Sequence, residues 1–414
     1  MADRVTVIGW DGSPLDPPAR AALKAATLVA GAPRHLGLPE IPPHAERVQL
    51  GSISLAARRI AAHRGTAVVI ADGDPGFFGV VRTLRDPEHG LEVEVVPAVS
   101  AVSAAFARAG MPWDDARVVV ASRRTLRRAV NVCRAHPKVA VLTAPGAGPA
   151  EIALLLGDVH RTFFICEELG TERERVSVLT SDTVSQYRWN DPNVLIVVGG
   201  AGAAPAASPA GGWLAGSGPG GDSGPRGWGL EPAAYNQPAR TRGVPPPGQD
   251  PQLRALALAA LGPGVGDLMW DIGIGGGLAA VEAARLGAAV VAVDRDARAC
   301  ALADETARRL GLQLHIVHGA APQALDDLPE PDVVRVGGGG QRTLVACADR
   351  RPLRIVTHAL TRDEAEAAGR VLGEAGYEVR CTLLQSVDLE TRGWTEQGRT
   401  VVFLLVGSRP PTPR

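Results

Sequence analysis

Asp271 stands just ahead of Gly273, Gly275, Gly276 and Gly277. Glycines at that spacing let the backbone approach a ligand, and a helix that follows them presents free N–H groups to it. The flanking residues supply such a helix. Leu268–Ile272 has the apolar run of a buried strand, and Leu278, Ala279, Val281, Ala284 and Leu286 recur at helical spacing. Ala288–Val293 reads as a second strand with Asp294 at its tip, where an acid can accept bonds from a ribose diol. The unit is strand, glycine turn, helix, strand. Counted from Gly273, the dinucleotide fingerprint fails at Leu278; counted from Gly275, it passes at Ala280. Glycine spacing therefore leaves a nicotinamide dinucleotide, S-adenosylmethionine or a purely structural turn open. Asp271 favours S-adenosylmethionine, because a carboxylate suits a cationic amino group and would repel a pyrophosphate.

A second unusual loop lies earlier. The strand Ala67–Ala71 runs into Asp72-Gly73-Asp74-Pro75-Gly76-Phe77-Phe78-Gly79. Three glycines and a proline in eight residues mark the end of a strand where open α/β sheets place ligands. The strand Val93–Val96 ends in Pro97-Ala98-Val99-Ser100-Ala101, another cluster of small residues before a helix. Val5–Ile8, Leu28–Gly31, Val118–Ala121, Val139–Thr143, Thr162–Cys166 and Val194–Val198 add short strands that alternate with helices. The fold class is α/β throughout residues 1–199.

Residues 200–248 differ. They are rich in Gly, Ala, Pro and Ser, so Gly200–Gly227 reads as a flexible linker and Gly243–Gly248 as a stiffer approach to the next domain. From residue 249 to 414 the glycine-turn unit is followed by strands at Gln313–Val317, Val333–Val336 and Arg354–Thr357. A terminal strand pair covers Tyr377–Ser386 and Thr400–Val406. That order predicts a Rossmann-like methyltransferase sheet with an antiparallel last strand.

Composition narrows the function. The 414 residues exceed one ordinary core, and a net charge of −1 gives no global field for nucleic acid or a membrane surface. No apolar run approaches the ~20 residues of a membrane span. Five scattered cysteines without a C-x-x-C pair indicate neither a disulfide framework nor a metal site, which suits the cytoplasm. His315 and His318 are spaced to opposite faces of a strand. The run Arg123, Arg124, Arg127 and Arg128 reads as a solvated helix face, with binding of substrate carboxylates as its alternative.

The first half resembles the tetrapyrrole (corrin/porphyrin) methylases of cobalamin biosynthesis. The likeness is carried by Val5–Gly12, Ala30–Leu36, Gly73–Gly79, Pro97–Val102, Met111–Asp115 and Leu169–Val176. The second half resembles the decarboxylating precorrin methyltransferase domain at Trp270–Gly273, Glu282, Ala320–Leu325 and Val336–Gly340. The resemblance implies two S-adenosylmethionine sites acting on a corrinoid. The first half would methylate the C5 meso carbon, and the second C15 with loss of carbon dioxide from the C12 acetate. It places the first cofactor site at Gly9, Gly73, Asp74, Pro75, Pro97, Ala98, Ser100 and Ala101. The second falls at Asp271, Gly273, Gly275, Gly276, Gly277, Asp294, Ala320 and Ala321. His35 and His358 are candidate substrate contacts. Self-association is expected by the same analogy. No catalytic acid or base is singled out, and no metal is required.

The second half departs from the family pattern. Gln249-Asp250-Pro251-Gln252 stands for the usual T-K-R-E, Ala320 for an acid, His358 for the Asn of N-A-V-T, and Gly276 for a small polar residue. Each removes a polar contact worth about 1 kcal/mol if buried. The alternative reading therefore keeps C5 methylation and leaves the second half to bind or channel the corrinoid.

Overall fold

The computed structural model describes residues 3–51, 53–77, 79–199, 227–237 and 250–409. Phe78 and most of the glycine-rich stretch, 200–226 and 238–249, lie outside the described residues. The first half holds two sheets. Strands β1 (Asp3–Trp10), β2 (Leu28–Gly31), β3 (Glu46–Gln49), β4 (Ala67–Asp72) and β5 (Leu91–Val96) form an all-parallel sheet in the order β3-β2-β4-β1-β5. Its central strands are near-continuous β-branched runs because helices cover both faces. Val5, Val7 and Val69 pack on one side, and Ile8, Val68 and Ile70 on the other.

Strands β6 (Arg117–Val120), β7 (Lys138–Leu142), β8 (Arg161–Glu167), β9 (Arg175–Thr180) and β10 (Asn193–Gly199) form a mixed sheet in the order β6-β7-β10-β8-β9. The sequence reading misses β3 and β9. Both are polar edge strands, Glu-Arg-Val-Gln and Arg-Val-Ser-Val-Leu-Thr, with little apolar run to betray them.

The second half is one sheet. Strands β11 (Leu268–Ile272), β12 (Ala289–Asp294), β13 (His315–His318), β14 (Val333–Val336), β15 (Arg354–Ala359), β16 (Glu378–Glu390) and β17 (Thr395–Ser408) take the order β13-β12-β11-β14-β15-β17-β16. The first five are parallel, and β17 runs antiparallel to both neighbours, as expected. The strand order reverses between β11 and β14, the switch point at which such sheets bind ligands.

Two sequence expectations are corrected by packing. Residues 227–237, read as part of the linker, fold onto the second half. Tyr235 is buried against Leu278 and Val281, and the backbone N–H groups of Gly229 and Leu230 donate to the Glu282 carboxylate. A buried tyrosine supplies the apolar surface that the surrounding composition lacks. The basic run is not a fully solvated face either. Arg127 pairs with Asp332 at 2.9 Å, and Arg128 donates to the Val265 carbonyl. Buried Asn131, one turn on, donates to the Gly266 carbonyl at 3.1 Å. These partners precede β11 and β14. The first half thus docks on the N-terminal strand edge of the third sheet, while the glycine turn sits at the C-terminal edge.

Candidate functional site

In the first half, strand geometry brings every expected cofactor residue to one place. A Cβ on Gly9 would lie 2.3 Å from the Gly73 carbonyl oxygen, 2.7 Å from the Ala98 nitrogen and 2.9 Å from Pro75 Cδ. Gly73 has φ +60°, and a Cβ there would lie 2.8 Å from the Ala101 nitrogen. The tips of β1, β4 and β5 therefore touch backbone to backbone, which only glycine permits. Asp74 Oδ1 accepts from the Gly76 N–H at 2.8 Å and shapes its own turn. Ser100 caps the following helix, its Oγ accepting from Ser103 at 3.0 Å. Pro97 and Ala98 complete the β5 loop.

Above these tips lies a cavity of ≈ 300 Å³ between the two sheets, lined by Trp10, Arg34, Asp72, Asp74, Phe77, Thr143 and Asn193 among others. The Gly12 loop and the Gly170 turn meet over it. Cys166 also lines it; burial chiefly pushes its thiol up to about 11, so it stays protonated and is no nucleophile.

His35 is not exposed to this cavity, contrary to a direct substrate contact. It is 2% exposed and sits beneath Asp72. Its Nδ1 accepts from the Ala32 N–H at 3.2 Å, so the ring proton belongs on Nε2, which donates to Asp72 Oδ1 at 2.5 Å. Arg34 donates to the same oxygen from Nε at 3.1 Å and reaches it from Nη2 at 2.5 Å. Burial works to raise the Asp72 pKa, but the hydrogen bonds from His35 and Arg34, with the Arg34 charge, outweigh it and hold the carboxyl below its ordinary range. Sequence reasoning passed over Asp72 as part of the glycine loop; an acid at a strand tip was the available signal.

In the second half, Gly273, Gly275 and Gly277 all have positive φ, and nothing lies within 4 Å of a Cβ on Gly275. The turn is open there, at the start of the helix Leu278–Arg285. Gly276 is buried, its carbonyl held by Gln237 at 2.7 Å. A Cβ on Gly273 would lie 2.8 Å from the Gly338 nitrogen, so the turns after β11 and β14 also meet. Asp294 accepts from the Gly275 N–H at 3.2 Å and the Asp296 N–H at 2.9 Å. Ala320 and Ala321 follow β13 on the same strand edge and bring no polar side chain.

Asp271 is fully buried beneath this turn. Its Oδ1 accepts from Arg335 Nη1 at 2.6 Å, and its Oδ2 is buried without a hydrogen-bond partner. Arg335 escaped the sequence reading. Its signal was a lone cation inside the strand Val-Val-Arg-Val, opposite Asp271 once β11 pairs with β14.

His358, at the end of β15, lines a narrow crevice with Arg335, Arg254 and Thr357. Burial first, then Arg335, pushes its pKa from 6.5 down to about 4, against a smaller pull from Glu364. It is neutral at pH 7. Because the folded value lies below the unfolded one, its stabilising contribution is intact above pH 6.5 and is lost as pH falls through the window towards 4. His136, also pushed down to about 4 by burial, acts in the same direction. Denaturant midpoints are expected to drop across that window, and H358N to flatten part of the drop while leaving the share of His136. An unchanged slope in H358N would place the effect elsewhere.

Comparison with known proteins gives two family matches. The model for "Tetrapyrrole (Corrin/Porphyrin) Methylases" matches residues 10–184 and that for "Precorrin methyltransferase domain" residues 250–405. A relative from Sinorhizobium sp, "Precorrin-6Y C(5,15)-methyltransferase [decarboxylating]", is 31% identical over 373 residues, spanning 86% of this chain and 84% of its own. The "Cobalt-precorrin-7 C(5)-methyltransferase" of Salmonella typhimurium is 34% identical and matches 42% of this chain and 89% of its own. The "Probable cobalt-precorrin-6B C(15)-methyltransferase (decarboxylating)" of Pyrobaculum calidifontis is 34% identical over 34% of this chain and 77% of its own.

Proposed function

This chain belongs to the precorrin-6Y C5,15-methyltransferase (decarboxylating) family, and we propose that it carries two S-adenosylmethionine sites that act on one corrinoid substrate. We assign residues 1–199 to methylation of C5 and residues 249–414 to methylation of C15 with decarboxylation of the C12 acetate. The observation that carries this reading is the pair of glycine-built cradles, one per half, each at the C-terminal ends of parallel strands.

The residues fit the cofactor. In the first half Gly9, Gly73, Pro75, Pro97, Ala98 and Ala101 leave backbone room beside the ≈ 300 Å³ cavity, and Asp74 and Ser100 fix the loops. In the second, Gly273, Gly275, Gly276 and Gly277 form the turn, with Asp294, Ala320 and Ala321 on its rim and Asp271 below. S-adenosylmethionine supplies an electrophilic methyl group when bound. The chain's part is to hold the ring carbon in line with it and to exclude water, and positioning of this kind accounts for most of such an acceleration. Arginines in the clefts offer partners for the substrate's carboxylates.

Arg335 on Asp271 and the bare Ala320 favour one second reading, in which only C5 is methylated and the second half binds or channels the corrinoid. Mass spectrometry of the product made from the C12-acetate precorrin with excess S-adenosylmethionine separates them. Two methyl groups gained and one carbon dioxide lost is the expected result. One methyl gained with the acetate intact selects the second reading. We place self-association in the same proposal, supported by the exposed ribbon of β16 and β17, where Leu383 is 58% and Trp394 72% exposed. Light scattering that returns a monomer would remove it. Among the described residues no helix is long and apolar enough to cross a membrane.

A further inference from the structure

We propose that Asp72 is the proton acceptor of the first cleft, taking the proton that the corrinoid ring must lose when C5 gains its methyl group. The proposal rests on the reading that the first half methylates C5.

The geometry points to this residue in three ways. Among the described residues its side-chain hydrogen bonds fall on one oxygen: His35 Nε2 at 2.5 Å and Arg34 Nε and Nη2 at 3.1 and 2.5 Å meet Oδ1. That leaves Oδ2 for the cavity that Asp72 lines. The support below it is rigid, because His35 is buried, stands edge-on to Trp10, and has its tautomer set by the Ala32 N–H. Of the other carboxylates of the cleft, Asp11 is held on both oxygens, Oδ1 by Ser13 and Oδ2 by the Val99 N–H at 3.4 Å. Asp74 uses Oδ1 on the Gly76 N–H of its own turn, and among the described residues it has no ion-pair partner to fix it as Arg34 fixes Asp72.

The chemistry requires an acceptor. An electron pair of the ring's enamine-type double bond forms the new carbon–carbon bond, and sulfur keeps the pair of the bond that breaks. The ring is left as a cation with one proton more than the neutral methylated product. Oδ2 takes that proton, which leaves a neutral ring and a neutral carboxyl. Asp72, with 47% of its side chain exposed, then returns the proton to solvent. The acid in this step is a ring cation, so a weak base suffices. What matters is that the carboxylate is ionised and fixed when the cation forms, and Arg34 and His35 secure both. They are positioning residues, acting through Asp72.

The test uses the full chain with the corrinoid and S-adenosylmethionine. D72N is expected to lower kcat for C5 methylation at least about 100-fold, with calorimetric affinity for S-adenosylhomocysteine unchanged. R34Q removes one cation and two donors from Asp72. It should therefore raise the pH at which wild-type activity fails on acidification, with Asp11, Asp74 and His35 as the remaining charged or titratable neighbours. This pH shift is a response that a merely structural role would not produce, and it stands even if D72N proves too unstable to assay. D72N as active as wild type, an affinity loss matching its rate loss, or an unmoved acid limb in R34Q each overturns the proposal. A wild-type chain that transfers no methyl to C5 overturns the functional reading as well, so the two failures are distinguishable.

Discussion

Replacing Glu282 with alanine is expected to destabilise the second half of the chain by about 3–5 kcal/mol, because it strips the counter-charge from a buried guanidinium. Glu282 and Arg254 are 1% and 2% exposed, and Arg254 Nε lies 3.1 Å from Glu282 Oε2. The carboxylate also accepts from the Gly229 and Leu230 N–H groups at 2.9 and 3.2 Å and from the Tyr235 hydroxyl at 2.8 Å. One side chain therefore ties the segment 227–237 to two helices, Pro251–Leu261 and Leu278–Arg285. Its loss leaves Arg254 charged, buried and without a carboxylate. Urea unfolding should show the drop, and limited proteolysis should open new cuts near residues 227–237. Replacing Arg254 and Glu282 together with methionine should cost much less, since no lone charge remains. A loss under about 1 kcal/mol in E282A would show that water reaches Arg254 and compensates it.

The parts legible in the sequence are those written in local periods. The third sheet announces itself strand by strand, and its glycine turn lies where Gly273, Gly275 and Gly277 put it. The first cradle was legible too, because Gly73 and Pro75 are costly residues unless a close approach demands them. Relations across the fold were not legible. Arg335 looks like an interruption of a strand until β14 is known to lie beside β11, which puts it opposite Asp271. His35 looks like a cleft residue until its burial and its bond to Asp72, 37 positions away, show it to be a support. Arg127 and Arg128 read as a solvated face because their partners, Asp332 and the Val265 carbonyl, lie over 130 residues later. Periodicity reports which face of an element is apolar, and it is silent on which polar group will stand opposite.

Arg335→Leu tests whether Asp271 serves the cofactor or only the fold. Arg335 Nη1 contacts Oδ1 of Asp271, and both side chains are nearly or fully buried. R335L leaves a carboxylate alone in the interior, so the unliganded chain should lose about 3–5 kcal/mol. The two roles then diverge on adding ligand. The remaining Asp271 charge, with Oδ2 already unpartnered, lies under the turn that Gly273 and Gly338 close. If the amino group of S-adenosylmethionine is bound near that turn, it takes over the counter-charge that Arg335 supplied. Saturating S-adenosylmethionine should then stabilise R335L more than it does the wild type, as a larger rise in Tm, because a ligand stabilises in proportion to its preference for the folded state. The double variant D271N/R335L, which has neither charge, should recover much of the lost stability and return to the wild-type rise or less. Equal rises in all three proteins would mean that Asp271 is a structural anion, satisfied by Arg335 and remote from the ligand. That result would remove it from the cofactor site and leave the turn to bind through its backbone alone.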